Sequence, residues 1–249
     1  KENDEFARDL LASRVGPLML RRKKSEVAKD LPPKTEMIRS VELEGPQRDL
    51  YETIRASMEQ RVQEVISEQG MERAHFYILD ALLKLRQVCC HPHLLDLEAA
   101  QSVDSSAKMD LLFEMLPEMV AAGRRILIFS QFTSMLGLIE KRVIAEGIDH
   151  VKLTGNTRNR SALVKKFPTG KIPIFLISLK AGGVGLNLTK ADTVIHYDPW
   201  WNPAIESQAT DRAYRIGQDN PVFVYKLITK GSIEERIVAM QEDKKELVE

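Results

Sequence analysis

Short apolar runs and amphipathic stretches alternate along the second half of the chain. Each apolar run is too short for a helix and rich in β-branched residues, which predicts a buried strand. Strands are predicted at 125–129, 150–154, 172–177, 193–197 and 222–228. Apolar residues recur at helical spacing in 134–146 and 158–167, and a capping-box pattern opens a last helix at Ser232. This alternation predicts an α/β fold, in which helices cover both faces of a parallel sheet.

Helical spacing dominates the first half of the chain. Helices are predicted at 1–30, 47–68, 76–90 and 107–122, and a strand is predicted at 35–43. Gly45-Pro46 opens the second of these helices, Gly70 ends it, and Ser106 caps the fourth. A stiff connector, Pro32-Pro33, precedes the strand.

Four polar residues lie at, or just after, the carboxyl ends of predicted strands. They are Ser130, Thr154, Ser178 and Asp198. The carboxyl ends of parallel strands meet at one rim of the sheet, and ligands of such sheets bind there. The sequence therefore predicts a binding site on that rim.

A glycine-rich loop follows the strand at 172–177. It reads SLKAGGVGLN over 178–187, with three glycines in four residues. Glycine permits positive φ angles and a close approach of the backbone to another molecule. The Ser178 hydroxyl, the Lys180 ammonium and the backbone N–H groups suit phosphate oxygens. A plain tight turn has a similar composition, so the loop alone does not establish a phosphate site.

A helix that carries two arginines follows the strand at 193–197. Asn202 is its predicted N-cap and Pro203 its first residue. Gln208, Arg212 and Arg215 are spaced four and three residues apart, so a helix that continues to 215 puts them on one face. Two guanidinium groups on one face can bind one anionic group, as arginine fingers do in phosphoryl transfer. The alternative is a network of surface ion pairs with neighbouring acids.

Composition and charge exclude some classes of protein. The 249 residues are 43% hydrophobic and 29% charged, which is typical of a packed globular protein. The 36 basic and 36 acidic residues leave no net charge, which excludes a uniformly basic protein but not a local basic groove. No apolar run approaches the roughly 20 residues that span a bilayer, so we expect no membrane partner.

The cysteines indicate neither a disulfide framework nor a metal site. The two cysteines of the chain, Cys89 and Cys90, are adjacent, which makes a reducing compartment the default expectation. His91 and His93 follow them, but this spacing is not that of a zinc site. We therefore predict no metal ligands here and interpret the cysteines as core residues.

Three motifs between 178 and 218 resemble, in their order and spacing, those of the SWI/SNF family of DNA-dependent ATPases. The runs 178–188 (SLKAGGVGLNL) and 208–218 (QATDRAYRIGQ) are similar to the last two helicase motifs of that family. The run 198–203 (DPWWNP) resembles its aromatic insertion between them. The runs 17–33 and 85–94 (LRQVCCHPHL) resemble further family signatures. The resemblance covers nearly the whole chain, but only half of the family's motor.

The resemblance implies a RecA-like second motor lobe with an N-terminal helical protrusion. It divides the chain into a connector from the first lobe at 1–34, a protrusion region at 35–104 that contains a helical hairpin, and the lobe itself at 105–249. The sequence contains no G-x-x-x-x-G-K-[ST] loop and no Asp-Glu magnesium motif. We therefore expect this chain to be inactive alone, and ATP and Mg²⁺ to be bound mainly by the other lobe.

The resemblance also implies roles for residues on the rim. Arg212 and Arg215 correspond to arginine fingers, Gly185 and Asn187 lie near ATP, and Gln208 either lies near the nucleotide or couples it to DNA. The residues implied to contact DNA are Ser130, Gln131, Phe132, Thr154, Ser178, Lys180, Gly183 and Trp201. Contacts of this kind are made to the phosphate backbone, so we expect no base specificity.

The leading hypothesis is the C-terminal lobe of an ATP-dependent double-stranded-DNA translocase. We expect a monomer that works with its own N-terminal motor lobe, in the cytoplasm of a prokaryote or the nucleus of a eukaryote. One alternative is a non-catalytic module that binds nucleic acid or protein, and the other is a lobe of a strand-separating helicase. The DPWWNP insertion and the paired helices favour the duplex translocase over the strand-separating helicase.

Overall fold

The computed structural model describes residues 5–18, 31–169, 172–182 and 185–246. The chain divides into two compact units, 1–31 and 32–249. The first contains helix α1 (Glu5–Val15), followed by a 3₁₀ turn at Gly16–Leu18. This confirms the predicted N-terminal helix over 5–15. The sequence also contains four consecutive basic residues, RRKK at 21–24, which lie outside the described residues.

A parallel sheet of six strands forms the centre of the second unit in the part of the chain that the structure describes. The strands are β1 (Lys34–Val41), β2 (Ile126–Ser130), β3 (His150–Leu153), β4 (Ile174–Ser178), β5 (Thr193–His196) and β6 (Val222–Thr229). Their order is β1-β6-β5-β2-β4-β3, and every neighbouring pair is parallel. The predicted α/β class with a parallel sheet is confirmed.

Helices cover both faces of this sheet. They are α2 (Gly45–Gln69), α3 (Met71–Cys90), α4 (Glu98–Gln101), α5 (Ala107–Ala121), α6 (Thr133–Ala145), α7 (Arg160–Thr169), α8 (Leu179–Gly182), α9 (Pro203–Thr210) and α10 (Ile233–Glu246). Alternate strand residues enter two hydrophobic clusters. Phe129 and Phe175 pack with α7 and α9 on one face, whereas Ile128 and Leu176 pack with α5 and α6 on the other. Burial on both faces explains why these strands read as continuous apolar runs.

The helices α2 and α3 form the expected hairpin, joined at Gly70. Gly70 has φ of +80°, a conformation that glycine adopts without strain. The second helix begins five residues earlier than predicted, at Met71. The base of the hairpin packs against the rest of the unit through a third cluster, and the Tyr51 hydroxyl accepts a hydrogen bond from the backbone N–H of Ile233 at 3.0 Å. Cys89 and Cys90 are fully buried at this base, as expected of core residues.

Strand β1 belongs to the sheet, although we assigned its residues to the protrusion region. It pairs with β6 along its whole length, from Lys34 opposite Val222 to Val41 opposite Thr229. The sheet of the lobe therefore draws one edge strand from before the hairpin. The division at 34/35 and 104/105 remains a prediction based on the resemblance.

A buried ion pair lies between the sheet and two of its helices. The Lys108 Nζ atom of α5 lies 2.6 Å from the carboxylate of Glu234 in α10, and neither side chain is exposed. The same Nζ donates to the Tyr197 carbonyl at 3.0 Å, and the Glu234 carboxylate accepts from the Thr229 N–H at 2.9 Å. Burial acts to lower the pKa of Lys108, but the charge of Glu234, its hydrogen bond and the nearby cysteines together act in the opposite direction, and the pKa is raised. Lys108 is therefore charged, and its contacts join α5, α10 and the sheet.

Candidate functional site

The carboxyl ends of β2, β3, β4 and β5 meet at one rim, as predicted. Ser130 and Ser178, which end β2 and β4, are direct register partners. Thr154 follows β3 directly, and Asp198 follows β5 by two residues. The structure thus brings these four residues to the same edge of the sheet.

The Ser130 hydroxyl is engaged inside this rim. Ser130 is fully buried, and its Oγ donates to Asp198 Oδ1 at 2.5 Å while accepting from the Phe132 N–H at 3.1 Å. The second carboxylate oxygen of Asp198 accepts from the Gln131 N–H at 3.3 Å. The sequence analysis implied that Ser130 contacts DNA. In the structure its hydroxyl instead fixes the 130–132 loop to the loop after β5.

Asp198 is a buried acid that joins these two loops. Burial raises its pKa to about 6, although the hydrogen bond from Ser130 and the positive charges of Lys108 and Arg86 act in the opposite direction. The nearby cations therefore compensate only part of the cost of placing a carboxylate in the interior.

Arg86 of α3 is the residue at this site that sequence reasoning missed. Its side chain is 4% exposed, and its Nη2 donates to the Pro199 carbonyl at 2.6 Å and lies 3.9 Å from Asp198 Oδ2. The guanidinium carbon lies 5.8, 5.6 and 5.3 Å from the ring centroids of three aromatic residues, Phe132, Trp200 and Trp201. The run 85–94 resembles a family signature, but nothing in the spacing relates Arg86 to residues more than a hundred positions later.

A cleft of about 300 Å³ lies beside this cluster. Its walls are formed by Gln131, Phe132, Leu179, Lys180, Trp200, Ile205 and Gln208. Three residues expected to contact DNA (Gln131, Phe132 and Lys180) therefore share one surface with Gln208. Trp201 faces Arg86 and does not line the cleft, and Gly183 lies outside the described residues.

The helix that carries Gln208 is shorter than predicted. Asn202 caps it by accepting from the Ala204 N–H at 3.0 Å, as expected, but α9 ends at Thr210. Arg212 and Arg215 lie in the consecutive turns that follow, so the prediction of one helical face with Gln208 is wrong.

Groups from outside the helix explain where α9 ends. The Arg212 carbonyl accepts from the Leu188 N–H at 2.9 Å, and the Gln218 side-chain amide donates to the Ala213 carbonyl at 3.1 Å. Because these carbonyls accept hydrogen bonds from residues outside α9, they are not free to accept the bonds of a continued helix. Gly217, with φ of +95°, then turns the chain.

The two arginines nevertheless lie close enough to repel each other. Arg212 is 8% exposed and Arg215 is exposed. The pKa of Arg212 is lowered, first by burial and then by the positive charge of Arg215, while Asp211 acts against both. An arginine stays charged under such shifts, so a phosphate placed between the two guanidinium groups would relieve their repulsion.

The loop after β4 returns to these arginines. The hydrogen bond from Leu188 N to Arg212 O places Asn187 next to the arginine turns. Asn187 and Gly185 are exposed, and Gly185 has φ of +31°. The structure thus brings Asn187 close to the turns that contain the two arginines, whereas Gln208 lies on the wall of the cleft.

A buried histidine connects the sheet to the end of α9. The Nε2 atom of His196 lies 2.9 Å from Thr210 Oγ1, and its ring stacks on Phe129 at 5.6 Å between centroids. The pKa of His196 is lowered to about 4, mainly by burial and also by the positive charge of Lys226, while the carboxylates of Glu206 and Glu36 act in the opposite direction. The imidazole is therefore neutral at physiological pH.

This neutral histidine is expected to make stability depend on pH. Because the pKa of His196 in the folded chain lies below its usual value of 6.5, the unfolded chain binds more protons between pH 4 and 6.5. The free energy of unfolding therefore falls as the pH is lowered through this window. We expect His196→Gln to flatten that decline by up to about 1.4 kcal/mol per pH unit, measured by urea unfolding from pH 4.5 to 6.5.

Asp198 contributes with the opposite sign over about the same pH range, because its pKa is raised. It is present in both proteins, so the difference between their slopes isolates the histidine. Equal slopes in wild type and His196→Gln would show that His196 titrates normally. The matched control is a substitution of His91, which lies away from α9. Burial also lowers the pKa of His91 to about 4.

Two further kinds of feature are absent from the described ranges. No helix there combines the length and the apolar character that crossing a bilayer requires. Likewise, no three His, Cys, Asp or Glu side chains converge there in a way that could hold a metal ion.

Family models match the two parts of the chain. The helicase conserved C-terminal domain matches residues 107–217, and the SNF2-related domain matches residues 1–94. An uncharacterised ATP-dependent helicase of Mycoplasma pneumoniae is 39% identical over 251 residues, which are 100% of this chain and 24% of that protein. The chain spans about a quarter of the length of the curated relatives it matches.

Solved structures of an archaeal ATPase match the fold. The SWI2/SNF2 ATPase core of Sulfolobus solfataricus in complex with dsDNA is 35% identical with a TM-score of 0.73, over 99% of this chain and 52% of that one. The C-terminal domain of the Sulfolobus solfataricus SWI2/SNF2 ATPase is 33% identical with a TM-score of 0.70, over 85% of this chain and 86% of that domain. The fold, the order of the motifs and these matches agree: the chain belongs to the SWI2/SNF2 family of helicase-related ATPases and has the RecA-like fold of its C-terminal region.

Proposed function

We propose that this chain is the C-terminal lobe of an ATP-dependent double-stranded-DNA translocase, and that it contributes arginine fingers and a grip on the DNA backbone. The observation that carries the proposal is helix α9. It begins directly after Trp201 and Asn202, its residues Ile205 and Gln208 line the cleft, and the arginine turns follow its last residue, Thr210. One short rigid element therefore joins the residues proposed for DNA to those proposed for ATP.

The arginine end suits the phosphates of ATP. Two neighbouring guanidinium groups and the exposed Asn187 offer donors and positive charge to phosphate oxygens. The guanidinium groups contain no oxygen atom, which Mg²⁺ prefers as a ligand, so we propose that the metal is held mainly by the N-terminal lobe. In phosphoryl transfer, arginines of this kind stabilise the charge that develops on the transferred group. Arg212 and Arg215 would do so when the two lobes close.

The cleft end suits a sugar–phosphate backbone. Lys180 is exposed at its wall, and the half-buried Gln131 lines the same wall. Ser178 and Thr154 lie on the same rim. That the archaeal relative was solved with duplex DNA supports the choice of ligand. A lysine and an amide that contact phosphates give affinity without base specificity.

Duplex DNA is the direct test of this proposal. The rate of ATP hydrolysis by this chain, joined to the lobe that carries a phosphate-binding loop, is expected to rise when duplex DNA is added. Lys180→Ala is expected to weaken DNA binding and to reduce the slope of log affinity against log salt by about 1, because one phosphate contact is lost. The slope is measured by titrating labelled duplex at several salt concentrations.

Lys190→Ala is the matched control. Lys190 is also an exposed lysine, but it precedes β5 and so lies toward the opposite edge of the sheet, where it pairs with Asp219 at 3.3 Å. It should leave the salt slope unchanged. If duplex DNA does not change the rate of ATP hydrolysis, the proposal of a translocase is overturned. If the enzyme displaces a strand from the duplex, the strand-separating helicase is favoured instead.

A further inference from the structure

We propose that Arg86 is a positioning residue that holds Trp201 and the 130–132 loop in the orientation in which they meet duplex DNA. The inference rests on the function proposed above, but it concerns a residue of the helical hairpin, outside the residues to which the resemblance assigns contacts with DNA. Arg86 connects the base of α3 to both loops of the cleft at once.

The first contact is with the loop after β5. The Nη2 of Arg86 donates to the Pro199 carbonyl at 2.6 Å, directly before the two tryptophans. The guanidinium carbon lies 5.3 Å from the Trp201 ring and 5.6 Å from the Trp200 ring. A buried guanidinium near an aromatic ring is attracted by the ring quadrupole, and more strongly where water is excluded. Arg86 thereby restricts how the half-buried ring of Trp201 can turn.

The second contact is with the loop after β2. Arg86 lies 5.8 Å from the Phe132 ring and 3.9 Å from Asp198 Oδ2. Asp198 in turn accepts hydrogen bonds from the Ser130 hydroxyl and the Gln131 N–H. The charge of Arg86 therefore stabilises the carboxylate that fixes the 130–132 loop. Lysine carries the same charge but not the planar fork that can bond a carbonyl and face several rings.

The helix behind Arg86 is itself held in place. Gln47 Nε2 donates to the Val88 carbonyl at 2.8 Å, and the Tyr197 hydroxyl donates to the Cys90 carbonyl at 2.9 Å. Val88, Cys89 and Cys90 are fully buried. Because these contacts anchor its helix, Arg86 is a fixed point for the two loops that it contacts. The hairpin is thus connected to the DNA surface through one side chain.

Tryptophan fluorescence reads this arrangement directly, since Trp200 and Trp201 are the only tryptophans in the sequence. We expect Arg86→Met to change the emission maximum of this chain, with Arg86→Lys intermediate. Joined to the ATP-binding lobe, Arg86→Met should raise the duplex concentration for half-maximal ATP hydrolysis about tenfold, with a smaller change in the rate at saturating DNA. Arg86→Lys should recover part of that loss.

Arg125→Met is the matched control for the loss of a structural arginine. Arg125 donates to the Phe167 and Ile172 carbonyls at 2.9 and 2.7 Å, and it lies 5.7 Å from the Phe167 ring, away from the cleft. It should lower the melting temperature without moving the emission maximum or the DNA requirement.

The positioning role is overturned if Arg86→Met and Arg86→Lys leave both the emission and the DNA requirement at wild-type values. It is also overturned if Arg125→Met moves them equally. Should Arg86→Met fail to fold, Arg86→Lys alone decides between these outcomes. If duplex DNA does not stimulate ATP hydrolysis by the wild-type enzyme, the proposed function fails. The tryptophan emission maximum of the Arg86 variants then still shows whether Arg86 orients the tryptophans.

Discussion

Replacing Arg215 with alanine is expected to lower the rate of ATP hydrolysis at saturating ATP and DNA by about 10³-fold or more. Arg215 is exposed beside the buried Arg212, at the end of the turns that follow α9. Under the proposed function, Arg215 would meet the nucleotide only when the lobes close, and it would then contribute mainly to the transition state. We therefore expect the affinity for ATP to change little, measured with a non-hydrolysable analogue.

Two further variants distinguish an arginine finger from a residue that acts only through its positive charge. Arg215→Lys keeps the charge but loses the forked donors, and it should remain strongly impaired. Arg236→Ala removes an exposed arginine from α10, outside the proposed sites, and it should hydrolyse ATP at the wild-type rate. Wild-type hydrolysis by Arg215→Ala would remove this residue from the mechanism, whereas a loss of ATP affinity with an unchanged rate at saturating ATP would assign it to ground-state binding.

Replacing Lys108 with methionine is expected to lower the free energy of unfolding by about 3–5 kcal/mol. The variant keeps most of the side-chain volume but leaves the Glu234 carboxylate charged in a site with no exposed area. It also removes the donor to the Tyr197 carbonyl. Urea unfolding followed by circular dichroism measures the loss.

The pair, rather than either residue alone, carries this stability. Glu234→Gln should also destabilise the chain strongly, since it leaves the Lys108 ammonium buried without its carboxylate. The double variant Lys108→Met, Glu234→Gln should lose clearly less than the sum of the two single losses. Additive losses would show that the two charges do not depend on each other. Lys190→Ala, which removes an exposed ion pair, should cost no more than about 1 kcal/mol.

Local signals in the sequence predicted most of the elements. The apolar runs located β2 to β6 because strands that are covered on both faces consist mostly of apolar residues. Ser106 and Asn202 marked helix starts, since each accepts a hydrogen bond from a backbone N–H of the first turn. The position of the rim followed from parallel topology, which requires no knowledge of side-chain contacts.

Contacts between distant residues account for what the sequence did not predict. The end of α9 depends on bonds from Leu188 and Gln218, which no helical pattern contains. Arg86 reaches Pro199 from another element, and its position next to the tryptophans follows only from how α3 packs. The pattern of β1 predicted a strand, but only pairing with β6 shows which sheet it joins.

The length of α9 leaves no freedom between its two ends. It has eight residues, so it is about 12 Å long, and each residue contributes about 100° of rotation. One inserted residue would move the arginine turns by about 1.5 Å and swing them by about 100° around the helix axis relative to the tryptophans. An insertion in a surface loop has no such effect, because a flexible loop absorbs it. The number of residues between Trp201 and Arg212 therefore determines both the distance and the rotation between the tryptophans and the arginine turns. This number constrains the protein as much as the identity of any side chain in the segment does.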